Sequence, residues 1–148
     1  MSEWFSCSVR YDKRVENGLA KRVTETYLVE AVSYTEAEAR FIDRTSPFMT
    51  GEWAVSDIKK AHFREVFDKG DGDRYYAVKV NIVTLDERSG AEKRSPARSL
   101  VKASDLKEAI KAFEEGMRGT IADHEMVSVS ETKILDIYPY DDRPEGTA

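Results

Sequence analysis

The chain has 148 residues, 34% charged and 41% hydrophobic, with a net charge of −5. That is enough apolar material to bury roughly 70% of the surface an unfolded chain of this size exposes. The acidic balance excludes wholesale coating of a nucleic-acid backbone while leaving room for a local basic patch. The single cysteine, Cys7, excludes an intramolecular disulfide and fits a reducing compartment. With no secretory leader and no apolar run near about 18 residues, the expectation is a cytoplasmic protein without membrane spans.

Residues 4–10 alternate, with Phe5, Cys7, Val9 and Tyr11 on one side and Trp4, Ser6, Ser8 and Arg10 on the other, the pattern of a half-buried strand. Cys7 is therefore a buried small hydrophobe. A turn at Asn17-Gly18 leads into a second strand, about 21–32, rich in the β-branched and aromatic residues that pack well on a pleated surface. A helix starts near Ser33 to Thr35, where two overlapping capping boxes, Ser33 with Glu36 and Thr35 with Glu38, stay open as alternatives. Ala37, Phe41 and Ile42 form its apolar stripe, and Ser46-Pro47 ends it. Phe48 is expected to plug the core edge. Residues 52–67 read as one long strand with a β-bulge near Asp57-Ile58, where the apolar register shifts.

Residues 68–74, with three aspartates and two glycines, lack the EF-hand order and read as a solvated linker. Beyond it Tyr76, Val78, Val80 and Ile82 point inward and Tyr75, Ala77, Lys79 and Asn81 outward. A polar hairpin loop at 86–96 and an amphipathic helix over about 104–116 come next, the helix carrying Leu106, Ala109, Ile110 and Phe113 and stopping at Gly116. Residues 125–138 form the last strand, and the acidic tail 141–148 is expected to be mobile.

The second half repeats the first. Val29, Ala31, Ala37 and Phe41 stand 72 positions before Val101, Ala103, Ala109 and Phe113, and Asn17-Gly18 stands equally far before Ser89-Gly90. The first strands are offset by 71, as are Val66-Phe67 and Ile137-Tyr138. A lone half of this size would be marginal. The expected fold is accordingly α+β, an internal duplication of a β-β-α-β unit: six mostly antiparallel strands and two helices sharing one core. Repeat one spans 4–67 and repeat two 75–138, within a single domain 1–140. The sheet is expected either open with helices on one face or curled into a barrel.

The chain offers little chemistry. His62, His124 and Cys7 are too few and too scattered for zinc, and no phosphate-binding or dinucleotide loop occurs. Hence no metal, no cofactor and no catalytic residue is expected, and the glutamates read as caps and solvated helix faces. Two features suggest binding. The first hairpin carries Arg10, Lys13, Arg14, Lys21 and Arg22 against Asp12 and Glu16, and the second carries Arg88, Lys93, Arg94 and Arg98 against Asp86, Glu87 and Glu92. On the outer sheet face Trp4, with Arg10, is expected beside Tyr75 and Lys79, where rings with nearby positives can stack bases and meet phosphates. The same residues would also suit a partner subunit or the solvated tips of ordinary hairpins.

The segments Ser33-Tyr-Thr-Glu-Ala-Glu-Ala39, Pro47-Phe48, Gly51-Glu52, Val55-Ser-Asp-Ile-Lys-Lys-Ala61, Thr84-Leu-Asp-Glu-Arg-Ser-Gly-Ala-Glu-Lys93 and Ile137-Tyr-Pro-Tyr140 resemble an uncharacterised family of short proteins, a domain of unknown function found in anaerobic bacteria and their phages. The likeness runs from about Trp4 to Tyr140. It implies a stand-alone cytoplasmic protein and brings no catalytic or binding residue with it. The expected function is a non-catalytic binding protein, a homo-oligomer that engages nucleic acid or a nucleotide. The alternative is an interaction or inhibitor module acting on a host or phage protein.

Overall fold

The computed structural model describes residues 2–14, 17–120 and 123–140. The chain divides into two compact units, one made of Met1–Ala61 with Lys133–Ala148 and the other of His62–Thr132. Among the described residues there are eight strands, two α-helices and a short 3-10 turn, and the strands form two four-stranded sheets.

In the first unit β1 (Glu3–Arg14) runs antiparallel between β2 (Ala20–Ala31) and β3 (Trp53–Ala61), and β8 (Ile134–Tyr138) adds to β2 in parallel. The alternation in β1 sends Phe5, Cys7 and Val9 to one face. There they meet Val29 and Ala31 of β2 and Ala37 and Phe41 of α1 (Tyr34–Thr45), all fully buried. Truncating Phe41 to alanine in such a core costs about 3–5 kcal/mol. The helix starts where the sequence offered two caps, and the first is used. Ser33 Oγ accepts from Glu36 N at 3.1 Å while Glu36 Oε1 accepts from Val32 N at 3.0 Å, a reciprocal box that satisfies two otherwise orphan amides. The register of β1 against β3 slips between Ser8 and Val9, which leaves Ser56 as the extra residue of a bulge, next to the predicted site.

The second unit repeats this arrangement. β5 (Arg74–Leu85) lies between β6 (Glu92–Ala103) and β7 (Asp123–Glu131), and β4 (Glu65–Phe67) adds to β6 in parallel. Helix α2 (Leu106–Gly116) is capped by Asp105, whose Oδ1 accepts from Glu108 N at 2.8 Å, and it covers Val78, Val80 and Val101 with Phe113. The pairing of β5 with β7 slips between Lys79 and Val80, a bulge at the position equivalent to Ser56. β3 and β7 are edge strands, and bulges together with exposed charges such as Lys59, Lys60 and Glu125 discourage pairing with a further strand.

The strand count differs from expectation because each long final strand breaks in two. After Ala61 the Arg64 amide donates to Arg98 O at 2.7 Å, turning the chain onto β6 as β4. After Glu131, Thr132 donates to Tyr75 O from its amide and from its hydroxyl, both at 2.8 Å, and the chain then leaves for β2 as β8. The last strand of each repeat thus sits in the sheet built by the other. Leu28 and Val29 pair with Ile137 and Tyr138, and the equivalent Leu100 and Val101 pair with Val66 and Phe67.

Within the mostly exposed stretch 68–74, Gly72 is buried, and the backbone runs close to the end of β6: a Cβ on Gly70 would lie 2.7 Å from Lys102 O, and one on Gly72 would lie 2.0 Å from the Ala103 carbonyl carbon. Two further expectations change. Phe48 does not plug the core. It is 75% exposed in the 3-10 turn Ser46–Phe48. Tyr75 and Ala77 are 3% and 6% exposed rather than outward and open. The continuous apolar run 75–78 is the pattern of a strand buried on both faces. Neither sheet closes into a barrel, and the tail 141–148 lies outside the described residues.

A candidate anion-binding groove

The twelve residues singled out from sequence divide between the two units, six in each. Trp4 is half-buried on β1 opposite Glu30 and Ala61, and Tyr75 is buried on β5, so the two stand on strands of different sheets rather than on neighbouring strands of one. Lys13 Nζ lies 3.7 Å from Glu25, and Lys21 and Arg14 are exposed at the end of the first hairpin. In the second unit Lys79 and Arg98 face one another across β5 and β6, and the Arg98 guanidinium sits 5.1 Å from the Phe63 ring. Arg88 and Lys93 are exposed in and beside the second hairpin loop.

Arg10 and Arg22 do come together. Arg10 pairs across β1 with Thr24 and Ala54, and Arg22 pairs with Asp12, so the two arginines are diagonal neighbours on the sheet face away from α1. They border a cavity of about 590 Å³ with Ala54 and Ser56. The segment that enters β3, Gly51, Glu52 and Trp53, completes the lining, although Trp53 stands across from Tyr11 and packs its side chain against the core on the α1 face. The segment turns into the strand at Gly51, whose φ of 73° lies in the left-handed region that favours glycine. Arg22 Nε donates to Asp12 Oδ1 at 3.3 Å, which fixes one edge of the guanidinium and leaves its remaining N–H groups for a ligand. Arg10 has no hydrogen-bond or ion-pair partner among the described residues.

The matching corner of the second unit is built differently. Asn81 stands where Arg10 would be, His124 where Trp53 would be, and Glu125 where Ala54 would be. Glu125 takes Arg94, the counterpart of Arg22, in a 2.7 Å bond, with Glu92 at 3.5 Å. That bond and the two charges raise the Arg94 pKa and occupy the side chain. His124 is turned edge-on to Phe113, 5.6 Å between ring centres. The two hairpins are therefore not equivalent at this corner, where the arginine of the second is engaged by two carboxylates.

A second cavity of about 460 Å³ lies on the other side of the bulge, lined by Tyr34, Thr35, Glu38 and residues 55–58. Its acidic wall bears on Cys7: burial first, then the charges of Asp57 and Glu38, push the thiol up to about 12. A thiol that stays protonated at neutral pH is no nucleophile. Burial and the Glu25 carboxylate likewise raise Tyr27 and Tyr11. Among the described residues no group of three or more His, Cys, Asp or Glu side chains is placed to hold a metal ion, and no helix is long and apolar enough to cross a membrane.

Glu52, Trp53, Gly51 and Ser56 were not among the candidates from sequence. The tight Gly51-Glu-Trp53 run ahead of a bulged strand was the available signal, since bulges often re-aim side chains beside binding sites. A profile of the family described as Domain of unknown function (DUF4494) matches residues 3–140. No curated protein and no solved structure matches the chain.

Proposed function

We propose that this chain, which belongs to the DUF4494 family, is a non-catalytic binding protein that holds an anionic partner, a nucleic acid or nucleotide, in the groove of its first unit. One observation carries the reading: two diagonal arginines, one of them without a partner among the described residues, line a groove on the outer sheet face, while the counterpart arginine of the second unit is taken by Glu125. Guanidinium groups match phosphate oxygens in fork geometry. The setting is taken to be the cytoplasm of a bacterium or of a phage-infected cell. The matched pairings of β8 on β2 and β4 on β6 support reading the units as copies of one ancestral β-β-α-β-β element.

The test is fluorescence anisotropy with a labelled single-stranded 12-mer and a labelled nucleotide at low salt. The combined variant Arg10→Ala with Arg22→Ala is expected to weaken binding at least tenfold and to flatten the log Kd against log salt plot by about 1.4, the share of two phosphate contacts on a single strand. Undetectable binding by the wild-type chain, or binding indifferent to salt, would end this reading. A second reading, an interaction module for a host or phage protein, draws on Phe48, which is 75% exposed beside Pro47. One stoichiometric protein partner that survives nuclease treatment and is lost in Phe48→Ser would favour it.

A further inference from the structure

Three cations meet on neighbouring strands of the second unit. Lys79 of β5 pairs directly with Arg98 of β6, and since Val78 and Val80 point to α2, both side chains stand exposed on the face away from that helix. On the far side of β6 the exposed Arg64 donates its amide to Arg98 O at 2.7 Å. None of the three side chains makes a hydrogen bond or ion pair among the described residues, and Arg98 rests its guanidinium 5.1 Å from the centre of the Phe63 ring. Across from Lys79 on its other side β7 offers a hydroxyl, Ser128, rather than an acid. Like charges placed directly opposite on adjacent strands weaken a sheet.

The fold does not ask for this row. In the first unit the equivalent pair is Ser8 and Thr26, joined hydroxyl to hydroxyl at 2.9 Å, and Asp57 stands where Ser128 does. One unit thus fills the row with a neutral bonded pair and an acid, and the other fills it with positive charge that nothing neutralises. We propose that Lys79, Arg98 and Arg64 form a second anionic site, which takes successive phosphates of a nucleic-acid strand and stands whether or not the groove of the first unit is occupied. Lysine and arginine bind such a backbone by neutralising phosphates and releasing their counterions. With neighbouring strands about 4.8 Å apart, the row extends over about 10 Å from β5 to the start of β4, a span suited to a chain of phosphates rather than to one. The Phe63 ring takes one face of the Arg98 guanidinium and leaves its N–H edge for phosphate oxygens. Contacts of this kind position a strand without reading its sequence.

The test follows a labelled twelve-residue thymidine strand by anisotropy against salt, in the full chain and in the Arg10→Ala with Arg22→Ala background. Lys79→Ser with Arg98→Thr installs the pair that the first unit already accommodates. It should flatten the log Kd against log salt plot by about 1.4, and adding Arg64→Ala should bring the total to about 2.1, in both backgrounds. The thermal midpoint of the paired variant at low salt should hold or rise, because two facing like charges have gone. Lys107→Ala with Lys111→Ala, which takes the same charge from α2 on the opposite side of the sheet, should leave the slope unchanged. An unchanged slope in the row variants, a fall in midpoint without a change of slope, or an equal flattening by the α2 variant would overturn the site. A labelled nucleoside triphosphate that loses as much affinity as the strand would place a compact polyphosphate there and overturn the strand assignment. Loss of all binding in the Arg10 and Arg22 background would remove this site and leave the groove, whereas binding retained there, and flattened by the row variants, supports the row even if the groove fails. Failure of the wild-type chain to bind either probe would remove both.

Discussion

Beyond its parallel pairing with β2, the C-terminal strand is tied to α1 by Arg40, and removing that side chain is the sharpest test of how the first unit stays closed. Arg40 projects from α1 and donates from Nε to Glu30 O on β2 at 3.0 Å and from Nη2 to Tyr138 O and Pro139 O at 3.2 and 3.1 Å. Its guanidinium also lies 4.8 Å from the centre of the Tyr140 ring. Tyr140 closes the clasp by donating its amide to Glu30 Oε1 at 3.1 Å and its hydroxyl to Glu36. Hydrogen bonds from a charged donor contribute about 1.5–3 kcal/mol each, but these carbonyls are only part-buried and water can replace the donor. Discounting for that rehydration and adding roughly 0.5–1 kcal/mol for the cation on the ring, Arg40→Ala should cost about 2–4 kcal/mol. With an m value of about 2 kcal/mol/M, the urea midpoint falls by about 1–2 M. Hydrogen exchange should show residues 134–140 losing protection before the rest of the unit. Arg40→Lys should fall between, because one ammonium cannot serve carbonyls on both sides of the joint. A loss below about 0.5 kcal/mol, with unchanged protection of 134–140, would refute the clasp.

Two further predictions follow from packing and titration. Gly72→Ala drives a methyl group into the Ala103 carbonyl and the Ser104 amide, so it should cost at least the 1–3 kcal/mol typical of overpacking, read as a fall in thermal midpoint. Gly90→Ala, with open space around it and φ of 71°, should cost only about 1 kcal/mol of backbone strain, and equal losses would refute the contrast. The Cys7 thiol rises from 9.0 to about 12 on folding, so the unfolded chain gives up that proton first as pH climbs. Its contribution is complete below pH 9 and is lost as pH rises toward 12. The native chain should therefore resist a disulfide thiol reagent at pH 8 and react only with unfolding, and Cys7→Ala should lose less stability than wild type between pH 9 and 11 by urea titration. Fast native-state labelling would refute burial.

The local structure was legible because local rules governed it. The alternation of Phe5, Cys7 and Val9, the Ser33 cap and the 72-residue recurrence of Phe41 in Phe113 each depend on near neighbours or on one repeated pattern. The exchange of final strands was not legible, because residues 62–64 and 132–133 carry no glycine or proline to mark a break. The break is made by long-range bonds, Arg64 to Arg98 and Thr132 to Tyr75, that no local pattern announces. The basic hairpins were visible as composition, but which arginines stay available depends on cross-strand partners. Glu25, Asp12 and Glu125 each sit on a different strand from the cation they engage.

What differs between the two units points to the site more sharply than either unit does alone. Positions facing the helices are interchangeable in kind: Phe5, Cys7, Val9, Val29 and Phe41 answer to Tyr76, Val78, Val80, Val101 and Phe113. A packed interior makes the same demand of both sheets, since volume and apolarity must be kept wherever helix meets sheet. The groove corner is under no such demand. There arginine stands against asparagine, and alanine against a glutamate that ties up the remaining arginine. Folding alone would accept either set, as the two units demonstrate side by side in one chain. The feature confined to the first unit, a guanidinium on the outer sheet face with no partner among the described residues, is therefore not explained by what holds the sheets together. Arg10 is accordingly the residue whose substitution should change binding with little change in stability.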